Sequence, residues 1–110
     1  MEIIIKDKRL SKCINEERKL IKEYGQIMAK KIQIRLNGLK NSETLEDTKF
    51  LPGNFHELTG NRKGQWACDL YQPKRLVFEP VGDSIPTDED GKYIWKEIKS
   101  VRILEIIDYH

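Results

Sequence analysis

The dipeptide Pro52-Gly53 divides this chain into two halves that follow different hydrophobic periods. Before it, apolar residues recur at helical spacing; after it, they fall into short runs with strand-like alternation. The first pattern suits a helix burying one stripe, the second a strand with one face inward. Proline lacks a backbone donor and glycine admits conformations closed to other residues, so neither kind of element continues through the pair.

Residues 2–6, rich in isoleucine, suit a short strand, and Asp7 offers a side-chain oxygen to cap a helix. Leu10, Cys13, Ile14, Leu20, Ile21 and Tyr24 fall on one face of a helix that stops at Gly25. A second helix from Gln26 carries Met28, Ile32, Leu36 and Leu39 on one face. A short helical turn is expected around Leu45. Beyond Asn54, the runs Phe55–Leu58, Gln65–Tyr71 and Lys74–Glu79 read as strands, separated by the turn Thr59–Gly64 and by Gln72-Pro73. Residues 81–97 form an acidic insert before a last strand, Ile98–Ile107.

In this reading Trp66, Cys68 and Leu70 share an inward face, as do Leu76 and Phe78, while Arg75, Val77 and Glu79 point away. The expected fold is α+β in two layers, an N-terminal helical hairpin packed on a small antiparallel sheet. At 110 residues the chain has the size of a single domain, 1–110. Any chemistry must then sit on the surface of one small scaffold.

No stretch is long and apolar enough to cross a bilayer, and Met1–Asp7 does not make a signal peptide, so a cytoplasmic location without membrane attachment is expected. Cys13 and Cys68 lack metal-ligand or redox spacing and read as buried free thiols. The formal net charge is only +2, but its distribution is uneven. Basic residues dominate from Lys6 to Arg35, and Arg62, Lys63, Lys74 and Arg75 bracket a stretch whose only acid is Asp69. Acids gather at Asp83, Asp88, Glu89 and Asp90. A polyanion would meet the first two regions and avoid the third.

Proton transfer near neutral pH calls for histidine, and the chain has only His56 and His110. Strand alternation would put Asp108 and His110 on one face and Tyr109 on the other, with the carboxylate favouring protonated imidazole. The same tripeptide also reads as a frayed polar terminus, and His56 as a structural strand residue. Arg62, Lys63 and Arg75 suit a phosphodiester, or they merely solvate an exposed sheet face. No ligand motif supports a metal site, and no cofactor is implied.

The run Phe55–Trp66, the segment Lys74–Phe78 and the ending Asp108-Tyr109-His110 resemble the host-inhibition-of-growth (HigB) branch of the RelE-like toxins. In that branch a histidine and leucine precede a Gly-Asp-Arg-Lys-Gly turn and a tryptophan strand, and the chain ends Asp-Tyr-His. This sequence departs from the pattern at Asn61, at Thr59 in place of a lysine, and in the insert from Val81 to Glu97.

The resemblance implies a RelE-type fold and a metal-independent endoribonuclease that cleaves mRNA in the 30S decoding site of the ribosome and inhibits translation. It implies His56, Asp108, Tyr109 and His110 as a reactive cluster, with Arg62, Lys63 and Arg75 toward the RNA phosphate. The implied partner is a helix-turn-helix antitoxin (HigA-like) through which alone operator DNA is bound. Two rival readings keep the fold without the nuclease: a gyrase-poisoning toxin, and an inactive interaction module.

Overall fold

The computed structural model describes residues 1–108. The chain opens with β1 (Glu2–Ile5), followed by α1 (Lys8–Cys13), α2 (Glu17–Tyr24) and α3 (Gln26–Asn41). After a 3-10 turn at Leu45–Phe50 come β2 (His56–Glu57), β3 (Trp66–Asp69), β4 (Lys74–Pro80) and β5 (Ser100–Asp108). These strands form one sheet in the order β1-β5-β4-β3-β2.

The α+β class follows the sequence pattern, but two expectations are corrected. The sheet is mixed rather than antiparallel, because β1 pairs with β5 in parallel, Ile3 opposite Val101 and Ile5 opposite Ile103. Most of the chain separates these strands, which is ample for the crossover that parallel pairing requires. The helical layer also departs from a two-helix N-terminal hairpin, since β1 precedes it and the expected first helix is two.

Asp7 caps α1 by accepting a 2.9 Å hydrogen bond from the Leu10 N–H. The helix ends at Cys13, and Glu16 is extended before α2 begins. Asn15 occupies the break, a residue whose short amide competes for backbone hydrogen bonds and favours helix ends. With the bend, Leu10 and Leu20 both become fully buried. Gly25 (φ 85°) turns the chain from α2 into α3, as the sequence indicates.

The core lies between the helices and one sheet face. Trp66 and Phe78, opposite each other on β3 and β4, are fully buried with Cys68, Leu76, Val101 and Ile103. They pack with Leu10, Leu20, Ala29, Ile32 and Leu39 of the helices. Trp95, at the end of the insert, meets Trp66 edge-on at 3.7 Å between ring centroids. Trp66 is thus a core residue, as its position on the strand implies.

The register of β4 and β5 shifts between Val77 and Phe78: Phe78 faces Ile103 while Val77 faces Glu105. Leu104 is the extra residue of this bulge. Beyond it the alternation of β5 is reversed, so Ile106 packs against the core and Glu105 turns to the other face.

Both cysteines are buried and free. Burial pushes the Cys68 thiol up to about 12. The folded state holds this proton more tightly than the unfolded chain, so the stabilisation is complete below the ordinary thiol range and fades as pH rises toward the folded value. Denaturation midpoints are expected to fall as pH rises from about 8 to about 10.5, and less steeply in Cys68→Ala. Phe78→Ala is expected to cost about 3–5 kcal/mol in equilibrium unfolding, the range for a large aromatic lost from a core.

Candidate functional site

The sheet face turned away from the helices carries chemistry-bearing residues in register. His56 lies beside Ala67, Ala67 beside Val77, and Val77 beside Glu105. One step along, Asp69 faces Arg75, and at the other end Glu79 faces Arg102. Strand alternation puts all of these side chains on the same face.

His56 owes its place to the turn before β2. Gly53 (φ 116°) and Asn54 (φ 53°) both adopt left-handed backbone, which re-aims the chain after Pro52. The Asp69 N–H donates to the Gly53 carbonyl at 2.7 Å and ties the turn to the end of β3. His56 Nδ1 lies 2.7 Å from the Asn54 carbonyl. A carbonyl only accepts, so this bond puts a proton on Nδ1 and, in the neutral ring, leaves Nε2 with the free lone pair.

Arg62 closes the 3-10 turn Gly60–Arg62 and reaches across the face. Its guanidinium donates to Gln65 Oε1 at 2.9 Å and to Glu105 Oε1 at 2.8 Å. The reach from the β2–β3 loop to β5 spans β3 and β4, and Val77, on a face expected to be bare, is buried. Arg75 Nε stands 3.2 Å from Asp69 Oδ1, in a pair mostly shielded from solvent. Arg102 donates to Glu79 at 3.1 Å.

Three arginines therefore meet three carboxylates on this face. The guanidinium groups are held in place, and an incoming phosphate must compete with acids already bound to them. Exposed pairs of the Arg62–Glu105 kind contribute little to stability, so such an exchange is energetically accessible.

The remaining residues singled out in the sequence lie elsewhere. Lys63, next to Arg62, lines a separate cleft of about 620 Å³ with Glu57 and Thr59 from the β2 side and Lys92 and Tyr93 from the insert. The insert folds into a small hairpin bridged between Thr87 and Tyr93, and the Asp88 carboxylate closes its turn on the N–H groups of Asp90 and Lys92. Tyr93 rests against Gly64, where a Cβ would come within 3.1 Å of the phenol oxygen.

Asp108 ends β5 with a 2.6 Å ion pair to Lys74 Nζ. The bulge turns Asp108 to the same side as Ile106, opposite to Glu105. Three strand spacings, about 14 Å, also separate its strand from that of His56. The structure thus brings His56, Arg62 and Arg75 onto one face and leaves Asp108 beyond its edge. Tyr109 and His110 lie outside the described residues.

Glu105 and Arg35 belong to this arrangement and were not singled out in the sequence. Nothing in the sequence marks Glu105, whose facing depends on the bulge. Arg35 does carry a signal, because it interrupts the apolar face shared by Ile32, Leu36 and Leu39. It is buried, donating from Nε to the Asp69 carbonyl at 2.6 Å and from Nη1 to the Pro52 carbonyl at 3.2 Å.

Among solved structures, the fold is similar to a YoeB/ParE toxin from Agrobacterium tumefaciens, with a TM-score of 0.57 and 14% sequence identity over 100% of each chain. The likeness is one of fold. No protein-family model matches the chain, and no curated protein matches it.

Glu105→Gln is expected to free Arg62 and tighten binding of a short single-stranded RNA roughly three- to tenfold at low salt, with the stability change within about 1 kcal/mol. Fluorescence anisotropy against Arg62→Ala, which should weaken the same binding, checks this.

Proposed function

We propose that this chain is the toxin of a type II toxin–antitoxin system, and that it acts as a metal-independent endoribonuclease on mRNA in the ribosomal decoding site. One observation carries the proposal: a histidine whose Nδ1 is bonded to a backbone carbonyl, leaving Nε2 as the acceptor of the neutral ring, shares a sheet face with two arginines paired to carboxylates. The fold shared with a YoeB/ParE toxin and the sequence resemblance to the HigB branch support it.

Cleavage without a metal uses the RNA's own 2′-oxygen as nucleophile. His56 Nε2 takes the proton from the 2′-hydroxyl as that oxygen attacks the adjacent phosphorus. Arg62 and Arg75 neutralise the charge on the five-coordinate phosphate, drawing on donors already in position. The bond to the 5′-oxygen breaks, and the leaving oxygen receives a proton from His110, giving a cyclic 2′,3′-phosphate and a free 5′-hydroxyl. Asp108 fixes the start of the terminal tripeptide through Lys74, Tyr109 positions the RNA by stacking or hydrogen bonding, and Lys63 holds a phosphate outside the reacting one.

The separation of His56 from Asp108 favours the histidine over the aspartate as base. The proposed partners are a helix-turn-helix antitoxin of the HigA type, which silences the toxin and alone contacts operator DNA, and the 30S subunit with its mRNA. A second reading, a gyrase poison of the same fold, draws on the pairing of every arginine on the open face with an acid, which leaves these pairs without net charge.

The decisive test incubates the purified protein with a defined mRNA, with and without programmed ribosomes, and maps the 5′ ends. Cleavage within codons only when ribosomes are present is the expected outcome. His56→Ala and His110→Ala should each reduce its rate by about 10²–10⁴-fold, the usual contribution of a positioned acid or base. No cleavage in either condition would transfer the reading to the gyrase poison, and full activity in either variant would remove that histidine from the mechanism.

A further inference from the structure

We propose that Arg35 is the positioning residue of the open face, setting His56 and Arg75 together from inside the helical layer. The inference rests on the reading of those two residues as base and phosphate-binding group.

Arg35 sits on the buried side of α3 at 8% exposure, where an unpartnered guanidinium would be costly. Its described hydrogen bonds go to two backbone carbonyls, Asp69 and Pro52, which belong to segments far apart in sequence. The bond from the Asp69 N–H to the Gly53 carbonyl closes the link, so α3, the 52–54 turn and the end of β3 are joined through one side chain. Charge-assisted bonds are about twice as strong as neutral ones, so this is a firm joint.

Each segment held by Arg35 carries a functional candidate one step away. The turn leads to Asn54, whose carbonyl fixes the His56 ring through Nδ1. Asp69, held by its backbone oxygen, presents its carboxylate to Arg75 on the open face. The clamp therefore controls the tautomer of His56 and the orientation of Arg75 without facing the open surface itself. Gly53 belongs to the same device, since a Cβ there would stand 2.6 Å from Arg35 Nε. Lysine keeps the charge at position 35 but lacks the planar fork that reaches two carbonyls at once.

Two variants test this. Arg35→Lys disturbs the clamp, and Asn54→Val strains the exposed left-handed turn downstream of it and displaces its carbonyl without touching the core. The His56 ring is followed by nitrogen-15 NMR at a pH where it is neutral, and kcat and KM are measured on programmed ribosomes. In wild type the ring should show a single Nδ1–H form. In both variants it should become a mixture of tautomers, with kcat lower by about tenfold or more and KM within about twofold, since misplacing a reacting group acts on the chemical step.

A folded Arg35→Lys protein with the wild-type ring signature and kcat would overturn the proposal. If Arg35→Lys does not fold, an unchanged ring signature in Asn54→Val overturns it, because the link from Arg35 to His56 runs through that carbonyl. If His56→Ala cleaves like wild type, the proposed mechanism fails at His56. The ring signature then decides the clamp alone, a mixture supporting it and an unchanged ring refuting it.

Discussion

The packing of Trp66 and Phe78 into the helical layer is the constraint from which the rest of the molecule follows. They face each other across β3 and β4, and their burial leaves those strands no freedom of register. A slip of one residue would turn both rings to solvent and bring Ala67, Val77 and Asp69 inward. Because the register is fixed, the opposite face is fixed too. His56, Arg75 and Asp69 hold their places because two aromatic rings on neighbouring positions cannot be anywhere else.

Much of this was legible in the sequence. The change of period at Pro52-Gly53 separates helices from strands, Gly25 marks the turn between α2 and α3, and Asp7 caps α1 as its position implies. What escaped depends on contacts between distant segments. Periodicity continues through the break at Asn15, since the apolar spacing fits an unbroken helix as well as a bent one. The parallel pairing of β1 with β5 joins the two ends of the fold and leaves no local trace. The candidate face was legible in its residue types, His56, Arg62 and Arg75, but not in its carboxylates. Glu105 meets Arg62 only because β5 lies two strands from the loop that Arg62 leaves.

Electrostatics on the open face is a matter of arrangement more than of net charge. Each arginine is oriented by an acid on a neighbouring strand or across the face, so the guanidinium planes are set before any ligand arrives. The carboxylates that orient them also compete with phosphate. Weak polyanions are discouraged, whereas a strand delivered at high local concentration can displace an exposed acid such as Glu105. The mostly shielded Arg75–Asp69 pair is harder to open and is better suited to steering than to exchange.

The bulge at Leu104 makes β5 sensitive to length in a way that substitution alone would not reveal. Upstream of it, odd-numbered positions face the core; downstream, even-numbered ones do. Deleting Leu104 would remove the bulge and leave everything after it on its present side, whereas straightening the strand with Leu104 retained would exchange the two sides of everything after it. Glu105 would then be carried inward and Asp108 outward. The facing of residues 105–108 is thus set by an unpaired leucine, and one-residue indels elsewhere in β5 should be rarer among its relatives than point changes at the same positions.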